Sequence, residues 1–284
     1  MIAKIRLENT IELTSPLAHT DRQIETISRF RRETMWIDGQ PVEVPVVSGN
    51  AIRGYLRRAV ARRICELIEL PERSLSQRGF CLLFSGGTLE GTDWAFRVDS
   101  VHALIELLPH LLVFGCSYGS RLVPGHLFVD RAEPACRELQ HLPHHQQHPA
   151  YTGLDPVPSI SDLLAELPYS RRDDRAWELG DDQSPQQMRY ELEVLVPGTR
   201  LVHGVTLGVD NELARGALAA AIRVATTWNV LGGRGAAGHG HFRWTLERDT
   251  ANWPIEKWEQ HTRSRAQEIR ALLCDDKEPQ ASNT

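Results

Sequence analysis

A glycine-rich stretch near the C-terminal end of the chain has residue types that could bind a ligand. Five glycines fall within residues 232–240, and residues 233–238 match G-x-G-x-x-G, the pattern of a dinucleotide-binding loop. That loop follows a strand and opens a helix whose N-terminal N–H groups face the pyrophosphate. Here an alanine-rich predicted helix (211–231) precedes the glycines, and a predicted strand (241–247) follows them. The reversed order argues against a dinucleotide site.

The number of glycines still needs an explanation. One glycine is enough to end a helix in the left-handed conformation. Five, with an arginine and histidines among them, predict a backbone that lies close to a ligand and whose free N–H groups suit phosphate oxygens. A helix cap followed by a tight turn is the alternative. The predicted ligand-binding residues are Gly232, Gly233, Arg234, Gly235 and His239.

A second candidate site lies on a predicted helix in residues 48–70. Apolar residues recur there at every third or fourth position, and a serine or asparagine can cap the helix. The other faces carry five arginines within eleven positions, and no acid precedes Glu66. We predict that this helix contacts phosphates, while a solvated charged face is the alternative. The predicted contact residues are Ser48, Asn50, Arg53, Arg57 and Arg58.

Four histidines in residues 141–148 have the spacing of a metal-binding motif, His-x-x-His-His-x-x-His. No cysteine or paired acid joins them, and the surrounding prolines and glutamines are typical of a flexible loop. We therefore predict no metal site, and the sequence contains no other cofactor motif.

The elements that must position these residues follow from periodicity. Residues 4–13 alternate as a half-buried strand, 15–34 have no firm period, and 35–47 predict a hairpin around Asp-Gly. Residues 131–187 look like a long insertion, and 188–209 predict a second hairpin around Pro-Gly. A terminal helix is expected at 254–274. This order predicts an α+β fold with helices on one face of an antiparallel sheet.

Charge and composition limit the class of protein. The net charge is -5, but residues 1–63 carry +4, so the basic groups are concentrated near the N terminus. Five cysteines without regular spacing indicate reduced thiols. We find no secretory leader and no apolar run long enough to span a bilayer. The expected location is the cytoplasm, with no membrane partner.

Several segments resemble the RAMP superfamily of CRISPR-associated proteins, and within it the "seven" family of backbone subunits that polymerise along a guide RNA. Both candidate sites carry the resemblance, and the middle of the chain and the late predicted hairpin extend it. The Ser-Pro-Leu-Ala-His and Ser-Gly-Asn sequences are most similar to type IV backbone subunits. The matching segments are PVVSGNAIRGYLRR (45–58), LGGRGAAGHGHF (231–242), VFGCSYGSRLVPGHLFVD (113–130), EVLVPGTRLVHGVTL (193–207), and residues 15–19 with 48–50.

The resemblance implies an RRM/ferredoxin-like palm with inserted elements. The palm would take residues 1–250, interrupted by a finger-like insertion at about 15–47 and a thumb-like insertion at about 131–187. Residues 251–284 would form a C-terminal helix and a frayed tail. A base could stack on Tyr169 or Trp177 in the thumb, and the acidic segment 173–182 could meet a neighbouring copy.

The implied function is that of a CRISPR effector backbone subunit in antiviral or anti-plasmid defence. Such a subunit binds guide RNA (crRNA) along its phosphates and forms a filament with other copies of itself. The further partners would be other effector subunits and a target, either DNA or RNA.

Two catalytic alternatives stay open within the same superfamily. Type III backbone subunits cut target RNA with an aspartate in the loop after the first strand, where this chain has Asp21 and His19. An ordinary polar aspartate is the preferred interpretation of Asp21. The guide-processing endoribonucleases use histidines as general acid and base without a metal, a role open to His19, His239 and His241.

Overall fold

The computed structural model describes residues 4–24, 26–87, 98–118, 121–171, 188–246, 250 and 252–274. The strands are β1 (Ile5–Leu13), β2 (Thr20–Ile24), β3 (Ile27–Phe30), β4 (Arg32–Ile37), β5 (Gln40–Pro45), β6 (Cys116–Tyr118), β7 (Arg121–Val123), β8 (Leu127–Val129), β9 (Glu133–Pro134), β10 (Leu164–Arg171), β11 (Met188–Leu195), β12 (Arg200–Leu207) and β13 (Phe242–Leu246). The α-helices are α1 (Gly49–Leu67), α2 (Gln77–Phe80), α3 (Val98–Leu107), α4 (His110–Phe114), α5 (Ile160–Leu163), α6 (Glu212–Trp228), α7 (Ile255–Ser264) and α8 (Ala266–Cys274). In this described part of the chain, no helix is both long enough and apolar enough to cross a bilayer.

The central sheet has the strand order β13-β1-β12-β8, and the short β9 also pairs with β12. All of its pairings are antiparallel. Along the chain these elements run β1-α1-β8-β12-α6-β13, which is the βαββαβ order of a ferredoxin-like fold. The predicted α+β class with an RRM/ferredoxin-like palm is confirmed.

Strand alternation and helix periodicity explain how the palm closes. From Leu7 to Leu13, every second residue of β1 is almost completely buried, while Glu8, Thr10 and Glu12 point to the other face. Leu56 and Val60 of α1 and Leu218 of α6 are equally buried in the same core. Each such side chain contributes about 1.5–3 kcal/mol through burial. The helices therefore cover one face of the central sheet, as predicted.

A second sheet, with the order β10-β11-β3-β2, corrects one prediction. The predicted hairpin at 188–209 is wrong as a pairing, although both strands and the Pro197-Gly198 turn are present. β11 pairs with β10 over eight residues and runs parallel to β3, while β12 pairs with β1 in the central sheet. The alternating pattern predicts which face of a strand is buried, but not which strand pairs with it. Here β11 and β12 form eight-residue ladders with β10 and β1 instead of pairing with each other.

The inserted segments contain more regular structure than their sequences suggested. The hairpin around Asp38-Gly39 is confirmed: β4 and β5 flank a two-residue turn with both central φ angles positive. Residues 15–34, which have no firm period in the sequence, form β2, β3 and the start of β4. Residues 131–171 contain β9, α5 and β10. The single terminal helix is in fact two, α7 and α8. The division into palm, finger and thumb stays a prediction.

A buried carboxylate joins β11 to the β3–β4 region. Glu193 is 4% exposed. It accepts hydrogen bonds from the Phe30 N–H at 2.8 Å, from Arg32 at 2.6 Å and from Arg29 at 3.3 Å. Since a buried charge needs such partners, this cluster holds the second sheet against the following hairpin.

Replacing Glu193 by alanine should lower the free energy of unfolding by about 1.5–3 kcal/mol, the range for hydrogen bonds to charged groups. The Phe30 N–H and both arginines lose their shared acceptor. Chemical denaturation measures the loss. Glu191→Ala, at an exposed position of the same strand, is the matched control and should change stability by less than about 0.5 kcal/mol. Equal effects of the two variants would contradict this role of Glu193.

Candidate nucleic-acid interface

Residues 15–19, which we call the junction segment, lie between elements that are far apart in the sequence. Leu17 exchanges two backbone hydrogen bonds with Leu195 at the end of β11, at 2.9 and 3.0 Å. The next residue, Ala18, accepts a hydrogen bond from the Gly233 N–H at 2.9 Å. The segment therefore attaches the glycine loop (residues 229–241) to the second sheet.

The junction segment also reaches the start of α1. Of the two candidate caps, Ser48 is the N-cap, and its Oγ accepts a hydrogen bond from the Ala51 N–H at 3.3 Å. The N–H of Ser48 donates to His19 Nε2 at 3.3 Å. Burial, and then the positive charge of Arg31, lower the pKa of His19 below its ordinary value. The ring is therefore neutral at pH 7 and can accept this hydrogen bond.

Two of the predicted phosphate ligands on α1 are occupied inside the protein. Arg53 donates to the backbone oxygens of Leu127 and Phe114, both at 2.7 Å. Arg57 donates to the backbone oxygens of Phe114 and Gly115. Burial lowers the pKa of both guanidinium groups, and for Arg57 the charge of Arg53 adds to this effect. These contacts hold α1 against the middle segment of the chain.

The two arginines nearer the end of α1 are paired with distant acids. Arg62 lies 2.9 Å from Glu72, and Arg63 lies 2.8 Å from Glu259. Arg63 also pairs with Glu66 on the helix itself at 2.9 Å, so the positive charge of α1 is compensated by one local acid and by acids outside the helix. A local count of charges overestimated how many of the five arginines are free.

The predicted residues Asn50 and Arg58 remain open to solvent. Both are exposed, and with Gly54 they are spaced four residues apart, so they follow one another along one side of the helix. Among the residues that the structure describes, Arg58 has no hydrogen-bond or ion-pair partner. Tyr55 links this part of α1 to the glycine loop, since its hydroxyl accepts a hydrogen bond from the Val230 N–H at 3.3 Å.

The glycine loop needs glycine at least at one position. Gly232 has φ +78°, and a Cβ there would collide with the carbonyl oxygen of Ala18. Gly232, Gly233 and Arg234 are exposed, and Gly235 is partly exposed. The loop therefore presents backbone and one guanidinium group to solvent, as a ligand-binding loop requires.

Two tyrosines from the second sheet lie against this loop. The rings of Tyr169 on β10 and Tyr190 on β11 stack with centroids 5.5 Å apart. Arg234 donates to the Tyr190 hydroxyl at 2.8 Å, and its guanidinium carbon lies 4.9 Å from that ring's centroid and 5.4 Å from that of Tyr169. His239 is buried and bonds the Tyr169 hydroxyl, so it positions the tyrosine. Sequence reasoning missed Tyr190, although its place in the alternating β11 pattern was visible.

The candidate catalytic residues have ordinary structural partners. Asp21 is exposed on β2 and lies 3.4 Å from Arg31. His19 bonds the cap of α1, and the His241 N–H donates to Ser15 Oγ at 2.8 Å. Their catalytic roles stay predictions. Trp177 and the acidic segment 173–182 lie outside the described residues.

Comparison with known proteins finds similarity among solved structures. No protein-family model matches the chain, and no curated protein matches it. Among solved structures, the chain is similar to one from a "Type IV-B CRISPR Complex", at 26% sequence identity and a TM-score of 0.63. The match covers 89% of this chain and 98% of that chain. This similarity supports a CRISPR-associated effector subunit.

Replacing Gly232 by alanine should loosen the glycine loop by about 1–3 kcal/mol, the usual cost of a strained left-handed residue. The collision with Ala18 adds to that strain. Hydrogen exchange reports the change, because the amide of residue 233 bonds Ala18 and should exchange at least about fivefold faster. Gly233→Ala is the matched control: a Cβ there has its nearest neighbour at 3.9 Å and should leave exchange almost unchanged. Equal exchange in both variants would contradict the tight approach at Gly232.

Proposed function

We propose that this protein is the guide-RNA-binding backbone subunit of a type IV-like CRISPR effector complex. The similarity to a chain of a type IV-B CRISPR complex supports membership of an effector complex. The sequence resemblance to RAMP backbone subunits supports the finer role, in which copies assemble into a filament along crRNA. Other effector subunits and a target nucleic acid are the further partners in this proposal.

One observation carries the RNA-binding part of the proposal. The junction segment brings together the N terminus of α1, which bonds His19, and the glycine loop, which bonds the adjacent Ala18, although they are about 180 residues apart in the sequence. Arg58 on α1 and Arg234 in the loop are both exposed. Exposed guanidinium groups beside an open glycine backbone are the donors that successive phosphates need.

The tyrosine pair supplies the other half of single-stranded RNA recognition. Proteins that hold single strands combine a positive path for the backbone with aromatic rings for the bases. Tyr169 and Tyr190 lie beside Arg234, so one loop can present a phosphate donor and a stacking surface together. In the proposed path, the backbone runs along α1 and the glycine loop and a base contacts the tyrosine pair. The half-buried Arg53 and Arg57 hold α1 against the middle segment of the chain.

Replacing Arg58 or Arg234 by glutamine should weaken binding of a single-stranded repeat–spacer RNA. Each lost phosphate contact should reduce the slope of log K against log salt concentration by about 0.7. Fluorescence anisotropy at several salt concentrations measures both quantities. Arg243→Gln is the control, because Arg243 is 69% exposed on β13 and pairs with Glu12. Unchanged affinity and slope for both test variants would exclude the proposed path.

The assembly itself is tested by purifying the protein from a host that expresses its own CRISPR array. We expect repeat–spacer RNA in a particle several times larger than the 32.0 kDa monomer, measured by light scattering and RNA sequencing. Asp21→Ala should leave this particle intact. A nucleic-acid-free monomer that cuts repeat RNA would instead favour the endoribonuclease alternative. A monomer with neither property would refute both.

A further inference from the structure

A cluster outside the proposed RNA path contains two histidines and a glutamate. His144 Nε2 lies 2.7 Å from Glu133 Oε2, and His145 Nε2 lies 2.8 Å from the same oxygen. The three ligand atoms lie within 4.8 Å of one another. The sequence pattern shows no acid joining these histidines, but the fold places Glu133 beside them. Glu133 stands eleven residues before the first of these histidines, on β9, and His145 is 1% exposed.

The hydrogen-bond network orients His145 as a ligand. The Tyr151 hydroxyl donates its one proton to the Cys136 carbonyl at 3.1 Å. It must therefore accept from His145 Nδ1–H, which lies 2.7 Å away. A neutral His145 then turns the lone pair of Nε2 toward the oxygen of Glu133. The lone pairs of His145 Nε2 and Glu133 Oε2 would repel each other at 2.8 Å, so a cation, either a proton or a metal ion, must lie between these two atoms.

Neighbouring groups orient the carboxylate of Glu133 as a metal ligand. Arg131 bonds Oε1 of Glu133, which leaves Oε2 to the two imidazoles, and Glu33 holds Arg131 at 2.7 Å. Glu133 is itself only 3% exposed, so its carboxylate is enclosed among these partners. Such outer partners are what fix the ligands of metal sites.

The cluster opens onto a cavity of about 630 Å³. Two arginines and four carboxylates line this cavity, so with neutral imidazoles its walls carry a net charge of -2, which suits a divalent cation. His148 lines it as well and is 6% exposed. Its Nδ1 accepts the Ala150 N–H at 3.1 Å, which leaves the proton on Nε2. That Nε2 has no partner among the described residues.

We propose that Glu133, His144 and His145 form a binding site for Zn²⁺. Two imidazoles and one carboxylate are a ligand set of zinc sites that keep a fourth, open position. Here that position faces the cavity, where the buried Nε2–H of His148 can donate to a water molecule or an anion on the metal. The site ties the 141–148 turn to β9 and does not depend on RNA binding.

The test uses the full-length protein, freed of affinity tag and stripped with a chelator. Titration with zinc chloride, followed by calorimetry, should show one equivalent bound. Cobalt substitution should give the visible bands of tetrahedral nitrogen and oxygen ligation without thiolate charge-transfer bands, which excludes the cysteines. His144→Ala should weaken zinc binding by about 100-fold or more, beyond the loss that a changed outer partner causes.

His141→Ala is the matched control. His141 is about as exposed as His144 in the same turn, but it faces Asp38, so its loss should leave zinc affinity unchanged. Circular dichroism checks that His144→Ala keeps the fold, and Glu133→Gln provides a second variant of unchanged shape. Absence of stoichiometric binding, or equal affinity in His144→Ala and the wild type, would show that only protons join these residues and would overturn the proposal.

Discussion

The backbone hydrogen bonds of the junction segment are the constraint on which the candidate interface depends. Within its five residues, the segment forms hydrogen bonds with the end of β11, with the glycine loop and with the cap of α1. Each such bond contributes only about 1 kcal/mol net, but an unmade one in a buried position costs more. The segment therefore aligns three elements that lie far apart in the sequence, and Gly232 is needed where the loop approaches Ala18.

Charge is used in two different ways on α1. Arg53 and Arg57 satisfy backbone oxygens at the ends of neighbouring elements, a task suited to a group with several donors in a fixed plane. Arg58, on the solvent side, is available to a ligand. In a chain with a net charge of -5, Glu72 and Glu259 thus pair with Arg62 and Arg63 and leave Arg58 uncompensated.

Much of the fold could be predicted from local patterns. The apolar stripe of α1, the alternation of β1 and the Asp38-Gly39 turn each depend on neighbouring residues and appear as expected. The glycine loop was recognised as a candidate site, and the failure of its dinucleotide pattern followed from element order alone. Strand partners were not predictable, because β11 and β12 share a turn and still join different sheets.

By itself, the sequence determined the α+β class, the residue types available for the proposed RNA contact and the order of the elements that carry them. Only the tertiary structure decided which arginines are free, that Tyr169 and Tyr190 flank Arg234, and that Glu133 meets His144 and His145. The physical reason is the distance along the sequence over which each kind of interaction acts. Turns, caps and periodicity act over a few residues, whereas pairing of charges and convergence of ligands depend on contacts between distant segments, which no local pattern records.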